Sequence, residues 1–281
     1  MHQLPSPDAP IGVFDSGIGG LSVLQALRET LPREHFVYLA DSGYAPYGER
    51  GDSHAIARAR MVTGKLRDRH GIKALVVACN TATTAAIHLL RAEHPDLPLV
   101  GVEPAVKPAL AETRTGRIGV IATQGTVSSA KFSALVTSLA GAGEVVVRGC
   151  DGLAAAIEDE VMSPGAASAA HTQSLCELHL NAMGTFGHEA GQMDILVLGC
   201  THYVFAVDAL RRVLGDRPIR MIETGPAVAR QTARLLIRHD LIRTIGEVGG
   251  RVEFESTGDP ALLEAAARKW LGLSSSCAVS A

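Results

Sequence analysis

Short apolar runs alternate with longer segments of mixed polarity along nearly the whole chain. The runs are Ile11–Phe14, His35–Ala40, Ala74–Ala78, Leu97–Val102, one starting at Ile118, Glu144–Arg148, Ile195–Leu198, Ile219–Ile222 and Val252–Ser256. Each is too short for a membrane span, and several are apolar at successive positions rather than at alternate ones. That pattern predicts strands buried on both faces of a parallel sheet. The segments between them predict helices: one ending near Glu29, one over about Ser53–His70, and an alanine-rich one after Cys79. Further helices are expected near Ser128–Ala140, around Glu158, over Ala166–Met183, Ala206–Leu214, Pro226–Arg238 and Pro260–Leu271. Strands alternating with helices imply an α/β protein with doubly wound, mainly parallel sheets. The first ten residues read as a loose tail, and Ser274–Ala281, small and polar, as a fraying one.

Two pairs of segments repeat in the same order. Ile11–Ser22 (IGVFDSGIGGLS) and Ile118–Ser129 (IGVIATQGTVSS) both open with Ile-Gly-Val and turn through Ser or Thr and Gly. Later in each half, an apolar strand ends in a cysteine: Ile72–Thr84 (IKALVVACNTATT) and Met193–Phe205 (MDILVLGCTHYVF). The order, more than the letter count, indicates two related α/β halves. One domain is expected over residues 10–100 plus 213–281, the second over 101–212. The Glu103-Pro104 break marks the crossing, and the segments after Arg212 need the first sheet to join.

Composition narrows the classes. The 281 residues are 47% hydrophobic and 20% charged, enough to bury a substantial core. A net charge of -3 with mixed signs gives no basic groove, so neither nucleic acid nor an anionic membrane surface is expected as partner. No apolar run approaches the ~18 residues of a transmembrane helix, and the N-terminus lacks the marks of a secretory signal. Five cysteines, with no CxxC and no zinc spacing, read as free thiols in a reducing, cytoplasmic compartment, with no metal site.

In open α/β sheets, ligands bind where strands give way to helices. Cys79 and Cys200 stand at such junctions, in matched contexts. Across a cleft between two halves, a thiolate can take a proton from a carbon and a thiol can return one on the opposite face. The product is the mirror image, and a duplicated fold supplies the near-mirror symmetry that such a reaction needs. Asp15 and His202 are placed to assist the two cysteines, with Glu158 a further carboxylate. Ser16, Asn80, Thr81, Thr123 and Thr201 are uncharged donors suited to the carboxylates of a small amino acid. The loop Asp41–Gly48 is too rich in turn residues and tyrosine to be punctuation. Plainer readings stand beside these. Asp15 caps a helix, His202 is a satisfied structural histidine, Glu158 lies on a solvated face, and Tyr47 packs beside Pro46. Cys150, Cys176 and Cys277 read as small buried hydrophobes. Gly17, Gly19 and Gly20 do not match a nucleotide-binding spacing.

At these residues the chain resembles the glutamate racemases, cofactor-independent isomerases of the aspartate/glutamate racemase superfamily. The motifs are Gly12-Val13-Phe14-Asp15-Ser16-Gly17, Ala45-Pro46-Tyr47-Gly48, Ala78-Cys79-Asn80-Thr81, Gly199-Cys200-Thr201-His202 and Ser256-Thr257-Gly258-Asp259-Pro260. They span about Pro10 to Leu273. The resemblance implies an active site in the interdomain cleft and racemisation of L-glutamate to D-glutamate for peptidoglycan, cell-wall biogenesis and cell shape. No cofactor is implied, and members are often homodimers. It implies Cys79 and Cys200 as proton donor/acceptors, with Asp15, Glu158 and His202 assisting. Asp15-Ser16, Pro46-Tyr47-Gly48, Asn80-Thr81 and Thr201-His202 would contact substrate. Two departures stand out: Glu103-Pro104 is followed by Ala105 where the family has Gly, and Cys150 by Asp151 where it has Pro. Aspartate or hydantoin racemisation, a one-cysteine decarboxylase and a two-domain small-molecule binding protein are the competing readings.

Overall fold

A computed structural model describes residues 6–273 and the backbone of residues 277–279. In chain order its elements are β1 (Ile11–Asp15), α1 (Leu21–Thr30), β2 (Phe36–Ala40), α2 (Tyr47–Arg50), α3 (Asp52–His70), β3 (Ala74–Val77), α4 (Asn80–Glu93) and β4 (Leu99–Gly101). There follow α5 (Val106–Glu112), β5 (Arg117–Ala122), α6 (Gln124–Val127), α7 (Ala130–Ser138), β6 (Glu144–Gly149), α8 (Leu153–Met162), α9 (Ala166–Asn181) and β7 (Ile195–Leu198). The chain ends with α10 (Val207–Leu214), β8 (Arg220–Ile222), α11 (Gly225–Arg238), β9 (Val252–Ser256), α12 (Pro260–Leu271) and β10 (Cys277–Val279).

The chain forms two compact units, one running through Val102 and resuming at Gly225, the other Glu103–Thr224. The first holds a sheet in the order β10-β9-β2-β1-β3-β4 and the second one in the order β6-β5-β7-β8. Every strand pair in both is parallel. Parallel strands need crossovers, and helices supply them. This is why β1, β2 and β3 are buried at every position. On one face of the first sheet, Phe14, Val37, Leu39, Leu75 and Val77 pack against Val62 and Leu66 of α3 and Leu90 of α4. In the second unit Ile118, Val120, Ile195 and Val197 pack on Val106 and Leu110 of α5 and Phe132 of α7. The chain returns to the first unit at Gly225, not at residue 213. The reason is β8: Arg220–Ile222 pairs with Ile195–Val197 of β7 and so extends the second sheet.

The termini differ from the sequence expectation. Residues 277–279, read as part of a fraying tail, form β10 on the edge of β9, with Cys277 opposite Phe254. The side chain of Cys277 and residues 1–5 lie outside the described residues. From Pro7 onward the N-terminal segment is held: the Lys73 ammonium donates to the Pro7 carbonyl. Lys73 is fully buried and paired with Glu34 at 2.5 Å, and a charge removed from water needs such a partner.

Candidate active site

The two halves repeat at the level of backbone register. In the first sheet Ile11, Gly12, Val13 and Phe14 face Ala74, Leu75, Val76 and Val77. In the second, Ile118, Gly119, Val120 and Ile121 face Ile195, Leu196, Val197 and Leu198. The next bonds match as well: Ala78 N–H donates to Phe14 O at 2.8 Å, and Gly199 N–H to Ile121 O at 2.7 Å. Cys79 and Cys200 therefore close equivalent strands at the carboxyl end of equivalent sheets. The side chains around them are not equivalent. Asp15, at the end of β1, has Ala122 as its counterpart, and His202, two residues past Cys200, has Thr81.

Cys79 is buried and caps the N-terminus of α4, its Sγ accepting from Ala82 N–H at 3.4 Å. Ser16 Oγ lies 3.4 Å from the same sulfur and 3.3 Å from Asp15 Oδ1, donating to that carboxylate. A helix N-terminus and a hydroxyl donor favour a thiolate. Here they lose. Burial, then the Asp15 charge, push the Cys79 thiol up to about 12, against the lowering pull of Ser16 and Ala82. Asp15 does not supply a side-chain cap to α1, but it organises the turn that precedes it. Its carboxylate accepts Ser16 N–H at 2.6 Å and Gly20 N–H at 2.5 Å, just before α1. Gly20 is the residue this approach permits, since a Cβ there would sit 2.8 Å from Asp15 Cβ and 2.9 Å from Tyr38 Oη. Asn80 opens α4 beside Cys79. It is buried, yet among the described residues neither its Nδ2 nor its Oδ1 has a hydrogen-bond partner. A buried amide left unsatisfied on both atoms is costly unless something else fills the place. Thr81, next along, is half-buried.

Cys200 is likewise buried, and a 3₁₀ turn over Thr201–Ala206 follows it where the sequence suggested only the later helix. His202 Nδ1 lies 3.7 Å from Cys200 Sγ, and its Nε2 lies 2.7 Å from Glu158 Oε1 on α8. Burial alone would lower the imidazole; the bonds and charges of Cys200 and Glu158 outweigh it and hold His202 well above its ordinary value. The three sequence candidates Cys200, His202 and Glu158 thus form one continuous chain of contacts. Thr201 is buried within the turn. Thr123 follows β5 and caps α6, its Oγ1 accepting Thr126 N–H at 3.3 Å.

The loop after β2 presents Pro46 and Gly48 at the surface while Tyr47 turns inward. The Tyr47 hydroxyl donates to Asp41 Oδ2 at 2.5 Å. Asp41 and its partner Arg58 are buried and were not among the sequence candidates. A signal existed: Arg58 lies on the face of α3 that also carries Ala55, Ala59 and Val62, so a charge sits on an apolar stripe. Cys150 and Cys176 are free, buried thiols, as expected, and burial pushes both up to about 12.

Thiols at matched strand ends, one beside a carboxylate and one beside an imidazole whose affinity for a proton is raised, define a class of α/β proteins equipped for acid–base chemistry. Comparison with known proteins places the chain more closely. Residues 11–232 match the Asp/Glu/Hydantoin racemase family, and the chain belongs to it. It is 44% identical to a glutamate racemase of Ectopseudomonas mendocina over 94% of this chain and 95% of that one. A solved glutamate racemase structure from Bacillus anthracis superposes with a TM-score of 0.83 at 28% identity, covering 97% of both chains. An Escherichia coli glutamate racemase, solved with L-glutamate and the activator UDP-MurNAc-ala, gives 0.80 at 28% identity over 96% of this chain and 97% of that one.

Proposed function

We propose that the chain interconverts L- and D-glutamate without a cofactor, Cys79 and Cys200 acting on opposite faces of Cα. The repeated register carries this reading. It gives two thiols one backbone position in two halves and gives each a different acid–base helper. A thiolate removes the α-proton and the opposite thiol protonates the resulting carbanion, so each turnover exchanges the roles. Cys79, held high by burial and Asp15, rests as the thiol that donates. His202, backed by Glu158, supplies the counter-charge when Cys200 has given up its proton. The empty amide of Asn80 supports an amino-acid substrate: its Nδ2 suits a carboxylate and its Oδ1 an ammonium. Asp15-Ser16, Pro46-Tyr47-Gly48, Thr81, Thr123 and Thr201-His202 complete the proposed contacts.

The product, D-glutamate, would enter peptidoglycan synthesis in the cytoplasm, where thiols stay reduced. Among the described residues no helix is long and apolar enough to cross a membrane. The test is circular dichroism of L-glutamate incubated with the reduced protein in D₂O, with mass spectrometry of the product. Decay of the signal with deuterium appearing at Cα is the expected result, abolished by Cys79→Ser or Cys200→Ser. Decay with L-aspartate alone would change the substrate. Inertness toward both, in a folded protein, would overturn the proposal.

A further inference from the structure

We propose that Arg58 is a positioning residue, fixing the Pro46–Gly48 ledge, exposed at Pro46 and Gly48, through a buried carboxylate hub at Asp41; this rests on the reading that the ledge contacts substrate. Asp41 is fully buried and accepts four hydrogen bonds. Arg58 donates two, Nε to Oδ2 and Nη2 to Oδ1, both at 2.8 Å. Tyr47 donates one at 2.5 Å and the Thr257 hydroxyl one at 2.9 Å. The planar guanidinium fork satisfies both carboxylate oxygens at once, which an ammonium cannot do. The same groups hold the rest of the loop. Arg58 Cζ lies 3.4 Å from the centroid of the Tyr44 ring, a cation–π contact. Gly43 N–H donates to Thr257 Oγ1 at 3.2 Å, and His54 Nε2 meets the Tyr44 carbonyl at 3.0 Å. Thr257 belongs to the turn between β9 and α12. It explains why the Ser256–Pro260 segment, far away in sequence, bears on this loop.

The second unit shows that the fold itself does not require this hub. Asp41 N–H donates to Asp15 O at 2.8 Å, and Cys150 N–H to Ala122 O at 2.8 Å, so Cys150 is the counterpart of Asp41. There a thiol stands in place of the carboxylate, and the nearby tyrosine, Tyr203, donates to the Cys150 backbone carbonyl. An equivalent sheet forms without a carboxylate hub. The hub is therefore specific to the half that carries the ledge.

The experiment compares steady-state racemisation of glutamate in the parent, Arg58→Lys, Thr257→Val and Thr257→Ser, with thermal unfolding of each. Arg58→Lys and Thr257→Val should each raise KM about tenfold while kcat stays within about threefold, because the ledge binds without taking part in proton transfer. Thr257→Ser, which keeps the hydroxyl, should restore KM. If Arg58→Lys fails to fold, the two Thr257 variants decide. KM within about twofold of the parent in an active protein, with only Tm lowered, would overturn the positioning role and leave the racemase reading standing. A parent inert toward acidic amino acids overturns both.

Discussion

Replacing Asp15 with Asn should make Cys79 more reactive while making the enzyme slower. Ser16 Oγ bridges the two side chains, at 3.3 Å from the carboxylate and 3.4 Å from the sulfur, so they lie no more than about 7 Å apart. Two unit charges about 6.5 Å apart repel by about 2.5 kcal/mol at an effective dielectric near 20, equivalent to nearly two pH units. Burial, the larger cause of the raised Cys79 value, remains in the variant. The thiol should therefore fall from about 12 toward its ordinary range, burial still holding it above that range. At mildly alkaline pH the thiolate fraction then rises roughly a hundredfold. Lower basicity weakens each thiolate as a nucleophile, leaving a net gain of about tenfold in alkylation rate. Iodoacetamide labelling with peptide mass spectrometry reads Cys79 directly. The Asn side chain keeps one acceptor, but its NH₂ meets the Gly20 N–H; an unmatched pair of donors costs about 1–3 kcal/mol of stability. Ser16→Ala separates loosening from charge, because losing the Ser16 hydrogen bond, which lowers the thiol, should slow labelling. Labelling of Cys79 in Asp15→Asn at or below the parent rate would refute the electrostatic account.

Two further outcomes follow from the other unit. Glu158→Gln removes one of the groups that raise the His202 imidazole against burial, so the alkaline limb of the kcat profile should move to lower pH; an unmoved limb would separate Glu158 from the reaction. Asp194, at the foot of β7, accepts from Thr113 Oγ1 at 2.5 Å, Arg114 N–H at 2.7 Å and Thr115 Oγ1 at 3.2 Å. Asp194→Ala leaves these donors without their acceptor and should cost about 2–4 kcal/mol in urea unfolding. Burial raises the Asp194 carboxyl, but these bonds hold it below its ordinary value overall. Its contribution is accordingly present above the unfolded carboxyl value and lost as pH falls through the folded one.

The strands were legible because parallel strands buried on both faces leave uninterrupted apolar runs, as in Ala74–Val77 and Ile195–Leu198. The cysteines were legible because each ends such a run. What escaped was set by pairing rather than by pattern. β8 has only three residues and declares its sheet only by lying beside β7. β10 is a strand because β9 offers it an edge. Arg58 escaped because its partner Asp41 lies in another element, and local sequence does not show that a charge on an apolar stripe is satisfied at a distance. The Glu158–His202 contact was anticipated as two separate candidates; only the docking of α8 beside the turn after Cys200 makes them one unit.

The matched register with unmatched helpers has a thermodynamic consequence. L- and D-glutamate are enantiomers of equal free energy in water, so the interconversion proposed here has an equilibrium constant of unity. The kcat/KM values for the two directions must then be equal, whatever surrounds each thiol. Asp15 beside one cysteine and His202 beside the other can make turnover faster from one enantiomer only by raising the KM for that enantiomer in the same proportion. The asymmetry of the two halves can divide the barrier between binding and chemistry, but it cannot make the enzyme prefer a direction.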